Sequence, residues 1–179
     1  MIWLILASVA VTLFVVYNVV MLKLFGIPYS LSGTYYLLNN KKDGAGIWFS
    51  VMIISVFLLL LFPWVYVSGE INQLGNYLSV LPFISCAGVI FVGIAPNIQT
   101  SERIEKIHVI SALVGAVAAL LWVCIVCWKI MYVLPVWILL LGGIAHLTKT
   151  AKTCRDYWLE MCIFLPTFIA IITELILHL

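Results

Sequence analysis

A chain of 179 residues that is 65% hydrophobic and only 9% charged lies outside the composition of soluble domains, where about 25% of residues are charged. Its mean hydropathy of +1.23 indicates an integral membrane protein. A net charge of +2 is too small for a nucleic-acid surface, so nucleic acid is not expected as a partner, and the nine Lys and Arg are read as topology signals.

The first apolar stretch, at about residues 2–22, is long enough to cross a hydrocarbon core of about 30 Å at roughly 1.5 Å per residue. No basic run precedes it and no small-residue cleavage pattern follows, so it reads as an uncleaved transmembrane helix rather than a signal peptide. Asn18, near its end, is expected to hydrogen-bond to another helix. The connection that follows is polar and aromatic beyond what a linker needs. Pro28 favours an extended backbone, Gly33 permits a turn, and Tyr29, Tyr35 and Tyr36 suit the headgroup region. Residues 27–38 are expected to form a re-entrant or interface-lying segment, with a simple aromatic anchor as the alternative.

The second span, about 47–67, ends in Pro63, Trp64 and Tyr66, which are placed at the membrane interface. A polar turn with Glu70, Asn72 and Gln73 leads to the third span, about 78–95, where Gly88 and Gly93 let neighbouring backbones approach closely. The fourth, about 102–133, begins after Ser101 as N-cap, with Glu102 and Glu105 at the positive end of the helix dipole. Ser111, Gly115 and Ala119 recur on one face with Ala112 and Ala116 alongside, so this span is expected to be the most enclosed. The fifth, about 136–147, carries Gly142, Gly143 and Ala145 up to His146, and the sixth, about 158–177, holds Glu160, Pro166 and Glu174. The expected fold is all-α, a polytopic six-helix transmembrane bundle forming one domain over residues 1–179. Its small-residue faces could also mediate a homo-oligomer.

Lys23, Lys41, Lys42, Arg103, Lys106, Lys149, Lys152 and Arg155 all fall in alternate connections, and only Lys129 falls on the other side. Positive charge marks cytoplasmic loops. Both termini are therefore expected outside the cytoplasm, in a cell membrane read as a bacterial inner membrane. The five cysteines lie in spans or on the cytoplasmic side and are expected to be free thiols. Cys124 and Cys127 form a C-x-x-C within an apolar helix, with nothing nearby to complete a zinc site.

This topology gathers Ser30, Ser32, Asn97, Glu105, His108, His146, Asp156 and Glu160 on the cytoplasmic rim. Ionisable groups at membrane depth are costly and usually face the bundle interior. His108 and His146 are therefore expected to point into one polar pocket with Ser30 or Ser32, with Glu105 one turn from His108 and placed to orient its imidazole. The alternative is that both histidines are ordinary interface residues and that Asp156 pairs with Arg155 or Lys152. With no H-x-x-x-H or H-E-x-x-H pattern in the chain, no metal and no cofactor is assigned.

The run Pro28-Tyr29-Ser30-Leu31-Ser32-Gly33-Thr34 after the first span is similar to the Ser-Asp-Thr-Gly-like segment of six-span membrane proteins of the damage-regulated autophagy modulator type. Gly88 to Gly93, Pro96, His108 and Ala112 resemble that group's glycine-rich third helix, charged turn and histidine-bearing fourth helix. Related uncharacterised bacterial six-span families share the layout. The resemblance implies a lipid-associated membrane protein without assured catalytic activity. The leading functional expectation is a protein that binds a lipid or small amphiphile in a cytoplasm-facing polar pocket, in a sensing or regulatory role, with membrane lipids as partners. A second class is a membrane-embedded metal hydrolase resembling the ceramidase-like superfamily, built on Ser30 or Ser32, His108, His146 and Asp156. A third is an oligomeric channel or transporter.

Overall fold

In hydrocarbon no water is present to satisfy backbone N–H and C=O groups, so an apolar chain of this kind must satisfy them within helices. The computed structural model describes residues 1–70, 76–95, 101–126 and 133–178. Among them are seven α-helices: α1 (Ile2–Phe25), α2 (Thr34–Lys41), α3 (Ile47–Glu70), α4 (Val80–Ile94), α5 (Glu102–Val126), α6 (Val133–Leu147) and α7 (Arg155–Leu177). Helices α1, α3, α5 and α7 are long and apolar enough to cross a membrane. Helix α4 and the described part of α6 have 15 residues each, and a 3-10 turn at Asn76–Ser79 leads into α4. Val109, Ile110, Leu113, Val117 and Leu121 are exposed along α5. Such an apolar surface suits lipid rather than water, and the chain is a multi-pass membrane protein.

Helix ends follow local chemistry more than hydropathy. Helix α1 runs past its apolar window and stops at Gly26, whose φ of 73° lies in the left-handed region that glycine adopts without strain. Helix α7 begins at Arg155, earlier than its apolar residues, with the Arg155 and Asp156 side chains exposed in its first turn. Ser101 caps α5 by accepting the Ile104 N–H at 3.2 Å. The segment 27–38 divides into an irregular stretch and the short helix α2. Of the cysteines, Cys86, Cys124, Cys154 and Cys162 are free. Cys127, Lys129, Asn97 and the far end of the expected fourth span lie outside the described residues.

Helix α3 packs against α1, α2, α4 and α7, and α4 lies between α3 and α5, while α6 rests on α7. The most enclosed of the four long helices is α3, with 44% of its apolar window buried against 33% for α5. This corrects the expectation drawn from the small-residue face of α5: only that face is covered, whereas α3 meets neighbours on several sides. Phe14, Phe57, Phe164 and Phe168 knit α1, α3 and α7 together, with ring centroids 5.0 Å apart for Phe14–Phe168 and 5.7 Å for Phe57–Phe164. The edge-to-face Phe14–Phe168 pair, at an interplanar angle of 80°, contributes beyond the area it buries.

The closest helix approach is between α4 and α5. A Cβ on Gly88 would lie 2.7 Å from the Ser111 carbonyl oxygen and 2.9 Å from the Gly115 backbone. Backbone cannot swing aside, so the two helices meet only because residue 88 has no side chain. Gly88→Ala is expected to lower stability by about 1–3 kcal/mol, measured as thermal unfolding in detergent. Gly143→Ala is expected to be neutral or slightly stabilising, because nothing lies within 4 Å of its added Cβ.

Candidate functional site

The stretch 26–33 leaves the helical path at the end of α1, and although Gly26 and Tyr29 are exposed, Pro28 and residues 30–33 are buried. Leu31 is 2% exposed, Ser30 6% and Ser32 8%. Its backbone therefore needs partners from elsewhere in the fold, and α7 supplies them. The Glu160 carboxylate accepts the Leu31 N–H, the Tyr157 N–H donates to the Tyr29 carbonyl at 3.0 Å, and the Cys154 thiol donates to the Ile27 carbonyl at 3.3 Å. Within the stretch, Ser30 Oγ accepts the Gly33 N–H at 2.9 Å and lies 3.3 Å from Ser32 Oγ, and the Thr34 hydroxyl donates to the Leu31 carbonyl at 2.6 Å. From α1, the Tyr17 hydroxyl meets Thr34 Oγ1 at 2.6 Å. Asn18 accepts the Tyr157 hydroxyl at 3.3 Å, the interhelical bond expected of it. A Cβ at Gly33 would lie 2.5 Å from the Tyr29 ring, so a larger residue there would displace that half-exposed side chain. Partial burial of that ring raises the Tyr29 phenol above its ordinary value; a hydrogen bond from Ser30 opposes the rise, and the Glu160 and Asp156 carboxylates add to it.

This polar end closes one side of a cavity of about 290 Å³ between α3, α4, α5 and α7. Ser32, His108, Asp156 and Glu160 line it together with Phe49, Ile53, Phe57, Val89, Ala112, Ala116 and Phe164, so a few polar groups meet an otherwise apolar wall. Its lining runs along α5 from His108 to Ala119, roughly 16 Å at 1.5 Å per residue. Leu113 on α5 and Leu159 on α7 also line it and are exposed, 62% and 55%. The cavity thus opens sideways between these two helices, towards the lipid-facing surface. The small residues of α5 make the room: Ala112, Gly115, Ala116 and Ala119 all belong to the lining, where larger side chains would fill it.

His108 is 6% exposed, and its Nδ1 lies 2.9 Å from the Ala95 carbonyl. A carbonyl can only accept, so this bond places the proton of the neutral ring on Nδ1 and leaves Nε2 as an acceptor. Of the residues expected at this rim, Ser32, His108, Asp156 and Glu160 come together at the cavity, and Ser30 is bonded to Ser32 beside it. Asp156 also pairs with Arg155 at 3.2 Å, with both side chains largely exposed, a contact of small energetic weight. His146 and Glu105 are exposed and do not line the cavity. Equal depth along the bundle fixes height but not direction, and His146 lies on α6, the helix outside the cavity wall. Glu105 is one turn before His108, yet its side chain stays at the exposed start of α5, so Ala95 takes the orienting role. Among the described residues no group of three His, Cys, Asp or Glu is placed to hold a metal ion.

Trp64 and Ser85 also line the cavity, and neither was expected there. Trp64, placed at the interface from its position beside Pro63, is fully buried, 0% exposed, with its ring 5.4 Å from that of Trp122 at an 86° interplanar angle. Ser85, 1% exposed, is an isolated hydroxyl in an apolar run of α4, which gives no sequence signal. No family model, curated protein or solved structure matches this chain.

Glu160 is the acceptor on which the buried Leu31 N–H depends. Glu160→Leu is expected to cost about 1–3 kcal/mol by orphaning that donor and to accelerate hydrogen exchange at the Leu31 amide. Glu160→Gln retains a carbonyl acceptor and should preserve most of the protection.

Proposed function

We propose that this protein is a six-span membrane protein that binds a lipid or small amphiphile, its polar group at the Ser32, His108, Asp156 and Glu160 end of the cavity and its apolar chain along α5. The observation that carries this reading is the shape and chemistry of the cavity itself: apolar walls, a cluster of polar groups at one end and a lateral opening between Leu113 and Leu159. Ligand sites are concave, mostly apolar and furnished with a few placed polar groups. A lateral opening admits a molecule already dissolved in the bilayer. His108 Nε2 as acceptor, with the Ser32 hydroxyl in the same lining, suits a headgroup that carries hydroxyl or ammonium donors, and the Asp156 and Glu160 carboxylates favour a cationic or hydroxylated group over an anionic one. The resemblance of residues 28–34 to the damage-regulated autophagy modulator type agrees with an association with lipid. We take the role of such binding to be sensing or regulatory.

In this reading α4 and α6 complete six spans, and the basic residues at the ends of α1 and α2 and the starts of α5 and α7 lie on the cytoplasmic side of a bacterial inner membrane. Single cysteines introduced at residue 2 and at Lys41 of a cysteine-free variant are expected to react with an impermeant thiol reagent from opposite sides. Labelling of both from the same side contradicts the topology.

Binding is tested by what the protein carries through purification. Native mass spectrometry of the wild type is expected to show a retained amphiphile, and Ala116→Phe, which fills the apolar part of the cavity, is expected to lose it. Equal retention by both proteins, each with an intact unfolding transition, contradicts the site.

A further inference from the structure

The cavity lining is ordered along the helices, and its two ends differ in kind. Phe49 on α3, His108 on α5 and Asp156 on α7 mark the polar end, each within the first two turns of its helix. Helix α4 runs the other way, with its Ala95 cap carbonyl on His108 and its Ser85 carbonyl against Gly115. The lining residues farthest from the polar end are therefore Trp64, Ser85, Ala119 and Thr167. The runs from His108 to Ala119 and from Asp156 to Thr167 are equally long, roughly 16 Å at 1.5 Å per residue, so the space ends at one level on both helices. Trp64 is the largest of the four and is fully buried. Its ring meets edge-on that of Trp122, one turn beyond Ala119. Trp122 Nε1 donates to Ser68 Oγ at 2.7 Å, and the Ser68 hydroxyl donates to the Trp64 carbonyl at 2.7 Å. The serine thus ties one indole to the backbone of the other, and ring contact closes the loop. Side chains lean towards the N-terminus of their helix. For Trp64 that is the direction of the polar end, so its ring covers the turn before residue 64, where the cavity stops.

We propose that the paired indoles of Trp64 and Trp122 are an end wall that limits the ligand to one apolar chain of about ten carbons, so that the protein selects amphiphiles by the number and length of their chains. This rests on the reading of the cavity as an amphiphile site and narrows the class of molecule that fills it. A volume of about 290 Å³ holds roughly ten methylenes, each taken as about the size of a water molecule, ~30 Å³. One chain uses that space up, and the second chain of a two-chain lipid has no room. The lateral opening at Leu113 and Leu159 lies nearer the polar end than the wall. It serves as the entry, and the tip of a seated chain faces the indoles rather than the bilayer.

The test adds an equimolar mixture of octyl-, decyl-, dodecyl-, tetradecyl- and hexadecyltrimethylammonium to the full chain in phospholipid nanodiscs, and native mass spectrometry after release from the disc reads which chains stay bound. Every chain is already out of water in the bilayer, so a methylene seated in the cavity changes occupancy little. One that the wall keeps from seating loses its hydrocarbon contact and lowers occupancy about fourfold. The wild type is expected to hold the octyl and decyl probes about equally and to lose occupancy by that factor for each further methylene. Trp64→Leu, which withdraws the wall, is expected to move the fall to longer chains, and Ala119→Leu, which fills space in front of it, to shorter ones. Because the chains compete within one spectrum, a loss of active fraction does not mimic the effect. A shift in the stated direction in either variant supports the wall. Wild-type occupancy that stays even through the hexadecyl probe, or a fall at an unchanged length in both variants, overturns the wall while leaving amphiphile binding intact. If the wild type binds no member of the series, the proposed function falls and the wall with it.

Discussion

Buried irregular backbone survives only where the rest of the protein satisfies it, and the arrangement of this molecule depends on one instance of that constraint. Between α1 and α2 the chain leaves helical geometry while still buried, and the Glu160 carboxylate accepts the Leu31 N–H across a separation of 129 residues. The start of α7 donates the Tyr157 N–H to Tyr29, and Cys154, just before it, donates its thiol to Ile27. A carboxylate is expensive to bury, and this one is placed where the backbone needs an acceptor. The clamp fixes α7 against α1 and seats Ser32 at the cavity. Without it the polar end of the cavity has no floor.

The cavity is the second consequence. Helices α4 and α5 touch at Gly88 and Gly115, yet the same small-residue face, continued through Ala112, Ala116 and Ala119, leaves space towards α3 and α7. A void forfeits the dispersion contacts its lining would otherwise make. Such a feature is compatible with a stable fold when a ligand supplies the missing contacts, since binding to the native state adds to its stability. Under the proposed function the cavity is thus a site whose stability and occupancy are linked.

Features decided by local chemistry were legible in the sequence. Composition indicated a helical membrane protein, Ser101 was readable as a cap because its neighbours in sequence are its partners, and Gly88 and Gly115 were readable as contact points because glycine has no other use there. Features decided by azimuth or by distant contacts were not. The topology predicts His146 and His108 at one depth, but nothing in their spacing says which way α6 turns its histidine. Trp64 beside Pro63 has the same composition whether it faces headgroups or Trp122. The dominance of α3 was hidden because a helix that is apolar all round carries no stripe to mark its buried side. The bond from Leu31 to Glu160 has no local signature at all.

The most direct measurement is a density map of the protein purified from membranes in mild detergent, inspected between α3, α4, α5 and α7. The account predicts continuous elongated density that begins beside Ser32 and Glu160 and runs along α5 past Ala112 and Ala116. A map in which Phe57, Phe164 and Trp64 have collapsed into the space, or in which the space holds no density beyond side chains, contradicts it.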